Sequence, residues 1–210
     1  MAVSGERLVA CDRLWSRGGR LVLAGVDEAG RGAWAGPVVA AAVVLPPDWC
    51  PPGLDDSKKL GPRRRDELSR IIMASALCWG ACSVPSPVID RINILQATLL
   101  AMARSLAKLD PVPDLALIDG TQSPPASVAC RTLVGGDGAS ASIAAASILA
   151  KVFRDRIMTA WDRRHPGYGF AAHKGYGAAS HRRALLELGP CPIHRLSYRP
   201  LTLLDQGRLF

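Results

Sequence analysis

The chain has 210 residues, of which 49% are apolar and 21% are charged. This length fits one domain with a sizeable core, and the composition argues against a disordered or fibrous chain. The net charge of +8 suits a polyanionic partner, although charge also serves solubility. Residues 151–210 hold 11 basic and 4 acidic side chains, a net of +7, so we expect a basic C-terminal face rather than a scattered solvated surface.

The cysteines and the N-terminus indicate the cellular compartment. The six cysteines lack the spacing of a disulfide framework, and Cys78 and Cys82 form a lone C-x3-C without the second pair that a zinc site needs. We therefore expect reduced, mostly buried thiols. The N-terminus shows no secretion signal, and no apolar run reaches the roughly 18–20 residues of a membrane span. We predict a cytoplasmic protein without membrane contact.

The first part of the chain predicts an arm, two strands and a helix. Residues 1–20 are polar and are predicted to form a loose arm. Residues 21–26 are an aliphatic strand candidate, and the run PVVAAAVVL at residues 37–45 predicts a second, fully buried strand. The proline-rich residues 46–53 predict a loop, and Pro62 is suited to the first turn of a helix.

The remainder alternates helices with strands. Apolar residues at steps of three and four define one helical stripe: Ile92, Leu95, Leu99, Met102, Leu106 and Leu109. Residues 115–119, LALID, predict a short strand, and the alanine- and serine-rich residues 138–158 predict a helix packed closely on the sheet. Glycine-rich turns and a short helix near residues 181–188 follow. The pattern predicts a mixed α/β fold.

Four acids lie where carboxylates are costly. Asp27 and Glu28 end the first strand, Asp119 ends the LALID strand, and Asp137 lies between glycines. Ligands often bind just past the carboxyl ends of strands, and clustered carboxylates need a proton or a cation in order to coexist. Mg²⁺ or Mn²⁺ is the usual partner of such oxygens. The alternative is that the aspartates only cap helices and turns.

A Gly-Arg-Gly turn follows the first acids directly. Gly30 and Gly32 let the backbone approach a ligand closely, and exposed N–H groups with the Arg31 guanidinium suit a phosphate or a sugar hydroxyl. Acids beside a phosphate-binding turn are the arrangement of metal-assisted phosphodiester hydrolysis. The residues themselves therefore predict a hydrolase of phosphodiesters.

Seven blocks of the sequence resemble bacterial ribonuclease HII, in that family's order. They are GVDEAGRGAWAGPVVAAAVVL, DDSKKL, RINILQATLLAM, IDG, GGDGASASIAAASILAKVFRD, GYGFAAHKGYG and GPCPIHRLSYRP, and the resemblance covers about residues 20–205. It implies one ribonuclease H-like domain over residues 21–210: a central mixed sheet flanked by helices, with a basic helical C-terminal portion that embraces a duplex.

The resemblance also implies the activity. Substrates of the family are the RNA strand of RNA–DNA hybrids and single ribonucleotides embedded in duplex DNA. Cutting on the 5′ side of the ribonucleotide leaves a 3′-hydroxyl and a 5′-phosphate, which implies a role in ribonucleotide removal during replication and repair. Two alternatives stay open: a metal-dependent phosphohydrolase acting on nucleotides, and a hybrid-binding module without catalysis.

Individual residues take their implied roles from the same resemblance. The acids that match the family's catalytic and metal-binding set, with two Mn²⁺ or Mg²⁺ ions between them, are Asp27, Glu28, Asp119 and Asp137. The turn at the ribonucleotide's sugar and flanking phosphate matches Gly30, Arg31 and Gly32. Tyr176 matches the tyrosine that senses the 2′-hydroxyl. Asp155 falls within a predicted helix and is not included. The histidines are expected to be structural or to contact phosphate.

Three positions depart from the family pattern. Ala33-Trp34 replaces a common proline and leucine, Gly135 stands where a lysine is common, and Ala178 stands where threonine or serine is usual. The last two remove a cation near the fourth acid and a hydroxyl near the phosphates. No departure removes an acid.

The expected contacts with the phosphate backbone come from exposed cations. They are Lys58, Lys59, Lys174, Arg182, Arg183 and Arg195. Since these contacts do not read bases, binding should be independent of sequence and weaken with salt. We expect a monomer. The C-terminal LTLLDQGRLF suits docking on a partner such as a sliding clamp, and equally packing on the protein's own fold.

Overall fold

A five-stranded mixed sheet is the framework of the molecule. The structure, a computed structural model, describes residues 2–205. The strands are β1 Leu23–Ala29, β2 Val38–Val44, β3 Cys78–Val84, β4 Leu115–Asp119 and β5 Ala129–Leu133. Their order across the sheet is β3-β2-β1-β4-β5. The first three strands pair antiparallel, whereas β1, β4 and β5 run parallel to one another.

Helices cover both faces of this sheet. They are α1 Ala2–Trp15, α2 Pro62–Ser75, α3 Ser86–Leu106, α4 Ala141–Arg164, α5 Phe170–His173, α6 Ala179–Leu188 and α7 Arg199–Asp205, with a 3-10 turn at Gly136–Gly138. One core lies between the sheet and α1, α2 and α4, and the other lies between the sheet and α3. The C-terminal helices build a smaller cluster around Phe170 and Met158. The predicted mixed α/β architecture with a helical C-terminal portion is confirmed.

Small residues bring α4 against the central strands. All seven residues of β2 are buried, as predicted, and alternate residues face the two cores because successive strand side chains point to opposite faces. On β1, a Cβ atom at Gly25 would lie 2.1 Å from the carbonyl carbon of Ser142 in α4. The alanine- and serine-rich start of α4 thus touches the backbone of β1, and only glycine fits at residue 25.

The predicted loose arm over residues 1–20 is wrong, because residues 2–15 form α1. Leu8 is buried in the core between the sheet and α4. The Asp12 carboxylate accepts hydrogen bonds from the Ser140 hydroxyl and from the N–H (2.8 Å) and hydroxyl (2.6 Å) of Ser142. Asp12 therefore caps the start of α4 from another helix, a long-range contact that the polar composition of this segment does not indicate.

The predicted stripe on α3 is interrupted. Asn93 has φ 64° and ψ 165°, which divides the helix, and its side chain accepts a hydrogen bond from the Gln96 N–H at 3.1 Å, as an N-cap does. The part after the break buries Met102 and Leu106 against the sheet. Ile92 precedes the break, so its place in the three-four spacing does not reflect one continuous helix.

Strands β3 and β5 were not predicted from the sequence. Both lie at the edges of the sheet, where burial is partial. Edge strands need not alternate apolar with polar residues, and neither CWGACSV nor ACRTL does. The six cysteines are free thiols, as expected, although each is half-buried rather than buried. Among the helices of residues 2–205, none combines the length and apolarity needed to cross a membrane.

Candidate active site

Three predicted acids meet at one end of the sheet. Asp27 on β1 and Asp119 at the end of β4 lie at the same end of the sheet because these strands are parallel neighbours. Asp137 joins them from the 3-10 turn. One carboxylate oxygen from each of these aspartates lies within 4.8 Å of the others. Glu28 is outside this group but lines the same cavity of about 280 Å³ with Asp27 and Asp119.

The cluster carries more negative charge than its surroundings neutralise. Asp27 is only 5% exposed, and burial, with Glu28 and then Asp119 nearby, raises the pKa of its carboxyl well above the usual range. Burial is also the main cause that raises the pKa of Asp119 and of Glu28. Convergent carboxylates whose charge is costly are the donor set that hard divalent cations bind, so these residues fit Mg²⁺ or Mn²⁺.

Local hydrogen bonds hold the acids in place. The Asp119 Oδ1 accepts from the Gly136 N–H at 2.8 Å, which ties the strand end to the 3-10 turn. The Asp27 Oδ1 accepts from the Glu28 N–H at 2.7 Å. Ser147 of α4 hydrogen-bonds to Asp27 and lies 2.8 Å, hydroxyl to hydroxyl, from Ser57. Ser147 therefore belongs to the site, although the sequence indicated it only as a helix-packing residue.

Two cations approach the acids. The Lys58 ammonium donates to the Asp137 Oδ2 at 2.8 Å, and the Arg31 guanidinium lies 3.5 Å from the Glu28 Oε1. Contact with Asp137 is the main cause that raises the pKa of Lys58. Gly135, where the family commonly has lysine, takes φ 67°, a left-handed conformation that glycine adopts without strain. In this chain Lys58 supplies a cation at Asp137.

The Gly-Arg-Gly turn lies beside the acids with its carbonyls facing inward. The carbonyls of Gly30 and Arg31 accept hydrogen bonds from the buried Arg195 at 2.7 and 2.8 Å. The N–H groups of Arg31 and Gly32 make no hydrogen bond to any residue in the described part of the chain. Both residues are exposed. The turn therefore presents free donors and one guanidinium beside the carboxylates.

Tyr176 forms another wall of the same cavity. It is 38% exposed, and its ring lies over the Arg154 guanidinium, with 5.1 Å between the ring centroid and Cζ. Lys151 of α4 also lines this cavity and has its Nζ 5.8 Å from the ring centroid. No feature of the sequence separates Lys151 from other helix cations, since only the fold brings it to the site. Asp155, excluded above, is paired with Lys151 at 2.9 Å.

A chain of neutral histidines supports the loop of Tyr176. The His194 Nδ1 lies 2.9 Å from the Cys191 N–H and 3.1 Å from the Cys191 carbonyl. Because the His181 Nδ1 faces a carbonyl and has to donate, the neutral His181 ring accepts at Nε2 from the His194 Nε2 at 3.0 Å, which leaves the His194 Nδ1 to accept from the Cys191 N–H. His181 then donates from Nδ1 to the Tyr176 carbonyl at 2.9 Å. Burial lowers the pKa of His181 and of His194 to about 4, which keeps both rings neutral. His173 stacks on His181, with 4.4 Å between ring centroids.

The departures at residues 34 and 178 have visible consequences. Trp34 packs against Gly177, where a Cβ atom would lie 2.2 Å from the indole ring. The backbone N–H of Trp34 donates to the Gly175 carbonyl at 2.8 Å. Trp34 thus supports the Tyr176 loop. Ala178 is the N-cap of α6, and no side chain caps that helix terminus.

The predicted backbone contacts divide into exposed and buried cations. Lys58, Lys59, Lys174, Arg182 and Arg183 belong to residues that solvent reaches. Arg195 is 0% exposed, so the prediction that it contacts a duplex backbone directly is wrong: its guanidinium is occupied by main-chain carbonyls. Arg154 is buried as well. The basic excess of the C-terminal portion is therefore only partly on the surface.

Comparison with known proteins identifies the family. A family model described as Ribonuclease HII matches residues 24–200. The chain belongs to the ribonuclease HII family. The ribonuclease HII of Geotalea uraniireducens (strain Rf4) is 55% identical over 192 residues, covering 91% of this chain and 89% of that protein. That of Geobacter sulfurreducens is 56% identical over 184 residues, covering 88% and 85%. The predicted family is confirmed, and the protein is an enzyme, a ribonuclease, whose carboxylate cluster is consistent with metal dependence.

Solved structures show the same fold. The ribonuclease H2 of Pyrococcus horikoshii OT3 superposes with a TM-score of 0.73 at 22% identity, covering 89% of this chain and 98% of that one. RNase HII from Archaeoglobus fulgidus, in a complex with PCNA, gives 0.65 at 25% identity, covering 90% and 92%. Bst-RNase HIII in complex with Mn²⁺ gives 0.69 at 20% identity, covering 89% and 70%. The predicted ribonuclease H-like fold is confirmed.

Proposed function

We propose that this protein cleaves the RNA strand of RNA–DNA hybrids and cuts 5′ of single ribonucleotides embedded in duplex DNA. Each cut would leave a 3′-hydroxyl and a 5′-phosphate. The observation that carries the proposal is the convergence of Asp27, Asp119 and Asp137 beside a turn with free N–H donors and beside Tyr176. The acids supply the site of hydrolysis, and the turn and the tyrosine supply the site that distinguishes sugars.

The catalytic residues in this proposal are the four acids. Asp27, Glu28, Asp119 and Asp137 would hold two divalent ions, Mn²⁺ or Mg²⁺. Bound ions of this kind activate water and stabilise the departing 3′-oxygen. The protein's own contribution is to fix the acids before substrate arrives, through the Gly136 N–H on Asp119 and the Ser147 hydroxyl on Asp27. The Mn²⁺ in Bst-RNase HIII supports this choice of ion.

Sugar recognition would rest on the turn and the tyrosine. The 2′-hydroxyl both donates and accepts hydrogen bonds, and it alone separates a ribonucleotide from a deoxyribonucleotide. The exposed N–H groups of Arg31 and Gly32, with the Gly30 backbone, are suited to an accepting oxygen, and the Arg31 guanidinium to the flanking phosphate. Tyr176 would pack on the ribose from the opposite wall.

The exposed cations would position the duplex without reading its sequence. Lys58, Lys59, Lys174, Arg182 and Arg183 remain the proposed phosphate contacts, and Lys151 joins them because it lines the site. We place the activity in ribonucleotide removal during replication and repair, in a cytoplasmic monomer. The complex of the A. fulgidus relative with PCNA supports a contact with a sliding clamp, and we propose the C-terminal LTLLDQGRLF as its site in this chain. Residues 206–210 of that segment lie outside the described residues.

The deciding experiment uses two duplexes that differ by one 2′-hydroxyl. An all-DNA duplex and its copy with a single ribonucleotide are incubated with the protein in Mn²⁺ or in EDTA, and the cut is mapped. We expect one cut, 5′ of the ribonucleotide, only with Mn²⁺. Binding without any cut would favour the hybrid-binding module. Hydrolysis of free nucleotides with both duplexes intact would favour the nucleotide phosphohydrolase.

A further inference from the structure

Two arginines are fully buried beneath the Gly-Arg-Gly turn. Arg154 and Arg195 are each 0% exposed, and neither forms an ion pair with a carboxylate among the described residues. A buried charge is expensive unless it is hydrogen-bonded. In both side chains most acceptors are main-chain carbonyls of the site and of the segments that carry it, and among the described residues no other lysine or arginine is buried.

Arg195 holds the turn from the C-terminal side. Its Nη2 donates to the Gly30 carbonyl at 2.7 Å, and its Nη1 to the Arg31 carbonyl at 2.8 Å. Its Nε donates to the Gly36 carbonyl at 3.0 Å, on the other arm of the same loop. The Tyr198 hydroxyl accepts from Nη1 and donates to the Arg31 carbonyl at 2.7 Å, so it holds that carbonyl in the same direction as Arg195 does. These bonds point two successive carbonyls inward.

Arg154 holds the turn and the tyrosine loop together from α4. Its Nε donates to the Pro37 carbonyl at 3.0 Å, and its Nη2 to the Ala35 carbonyl at 3.2 Å and to the Lys174 carbonyl at 2.9 Å. A Cβ atom at Gly30 would lie 1.9 Å from its Nε, so the guanidinium fills the space behind Gly30. The Tyr176 ring lies over the same group. Its buried Nη1 has no partner among the described residues.

The two arginine side chains therefore fix the distance between the two walls of the proposed ribose site. One wall of the proposed ribose site is the Gly-Arg-Gly turn and the other is Tyr176, and they belong to segments about 145 residues apart in the sequence. Arg154 contacts both walls, and Arg195 sets the direction of the turn's peptide groups. A planar fork suits this task, because a guanidinium directs donors on three nitrogens toward carbonyls of different segments in fixed directions, whereas an ammonium carries its three donors on one nitrogen.

We propose that Arg154 and Arg195 are positioning residues for ribonucleotide recognition, which hold the Gly-Arg-Gly turn and Tyr176 at the separation that a ribose with its 2′-hydroxyl fits. The inference rests on the proposed function. Neither residue contacts substrate, so their loss should reduce discrimination between sugars while the carboxylate cluster stays able to bind metal.

The test measures discrimination separately from folding and from metal binding. The variants are Arg195→Lys and Arg154→Lys, which keep the charge and lose the fork. Affinities for the two duplexes, with and without the single ribonucleotide, are measured in an Asp119→Asn background that prevents cleavage, and the ratio of the two affinities is the readout. Calorimetric titration of Mn²⁺ into the Lys variants with Asp119 intact measures whether the carboxylate cluster still binds metal.

We expect the affinity ratio to fall about tenfold in each Lys variant, since hydrogen bonds to a charged group are lost, with Mn²⁺ affinity within about twofold of the parent. The matched control is Leu68→Ala, a buried α2 residue that does not line the cavity of the acids, which should lower stability and leave the ratio unchanged. Should Arg195→Lys not fold, Tyr198→Phe decides by the same ratio, with a fall of about threefold expected.

The outcomes separate the two levels of inference. A parent protein that cuts neither duplex in Mn²⁺ would refute the proposed function itself, whereas a parent that cuts at the ribonucleotide but binds both duplexes equally would overturn the role of the two arginines in recognition. A parent that prefers the ribonucleotide, with a ratio that the Lys variants or Tyr198→Phe leave unchanged, would overturn the role of the two arginines. An equal fall in Leu68→Ala would also overturn it, because discrimination would then follow stability alone.

Discussion

Replacing Asp27 with Asn should stabilise the metal-free protein while abolishing cleavage. The Asp27 carboxylate is buried and lies near Glu28 and Asp119, which raise its pKa together with burial. Without metal, these charges oppose folding because they separate when the chain unfolds. Asn keeps the Oδ1 that accepts from the Glu28 N–H at 2.7 Å, so the substitution removes the charge and preserves that contact.

The size of the effect follows from the geometry. Two charges 4.8 Å apart repel by about 3 kcal/mol at an effective dielectric constant of about 20. Lys58 beside Asp137 offsets part of this, and a weaker hydrogen bond to Ser147 offsets more. We therefore expect a net stabilisation of about 2 kcal/mol, which for a chain of this size corresponds to a rise in Tm of about 4–8 °C.

The assay is thermal unfolding at pH 8 in EDTA, followed by circular dichroism, and then repeated with Mn²⁺. Asp27→Asn should melt above the parent in EDTA, whereas Mn²⁺ should stabilise the parent and have little effect on the variant. Glu187→Gln, which removes an exposed charge on α6, should change neither melting curve. A variant that melts below the parent in EDTA would refute the electrostatic reasoning, because both burial and repulsion of the Asp27 charge oppose folding and Asn removes that charge.

Three further outcomes are expected. Because the pKa of both His181 and His194 is lowered from 6.5 to about 4, the native state binds fewer protons than the unfolded chain below pH 6.5. The free energy of unfolding is therefore full above pH 6.5 and falls below it, by about 2 kcal/mol per histidine at pH 5. In urea unfolding, His194→Gln should reduce this pH dependence by about one proton, and an unchanged slope would contradict the neutral chain. Gly25→Ala should prevent stable folding, because its Cβ would meet the Ser142 carbonyl, and soluble yield with a cooperative melt would show otherwise. Ala178→Ser should add about 1 kcal/mol by capping α6, measured as a higher urea midpoint, and no gain would mean that the hydroxyl does not reach the helix N–H groups.

The parts of the molecule that the sequence predicts well are those where one constraint dominates. β2 is buried on both faces, so its sequence has to be apolar throughout. Asp119 ends β4 as predicted, whereas β1 continues past the buried Asp27 to Ala29, so the prediction placed Asp27 at the correct end of the sheet but ended the strand too early. The family blocks added the role of Asp137, which its flanking glycines alone did not separate from an ordinary turn residue.

The parts that the sequence did not indicate depend on distant contacts. A helix at residues 2–15 looks polar and loose because its stabilising bonds, from Ser140 and Ser142 to Asp12, join segments about 130 residues apart. Arg195 has the same local signature as an exposed arginine, and only the fold shows that carbonyls surround it. Lys151 likewise becomes a site residue through the direction of α4.

The most direct test of the account is a crystal of the protein grown with Mn²⁺ and measured at the manganese absorption edge. We expect an anomalous peak bounded by the carboxylates of Asp27, Asp119 and Asp137, with the Lys58 ammonium moved away from Asp137. We expect the peak to be lost in Asp119→Asn. Manganese bound elsewhere on the protein, with the Lys58 to Asp137 contact intact, would contradict the claim that these acids form the metal site.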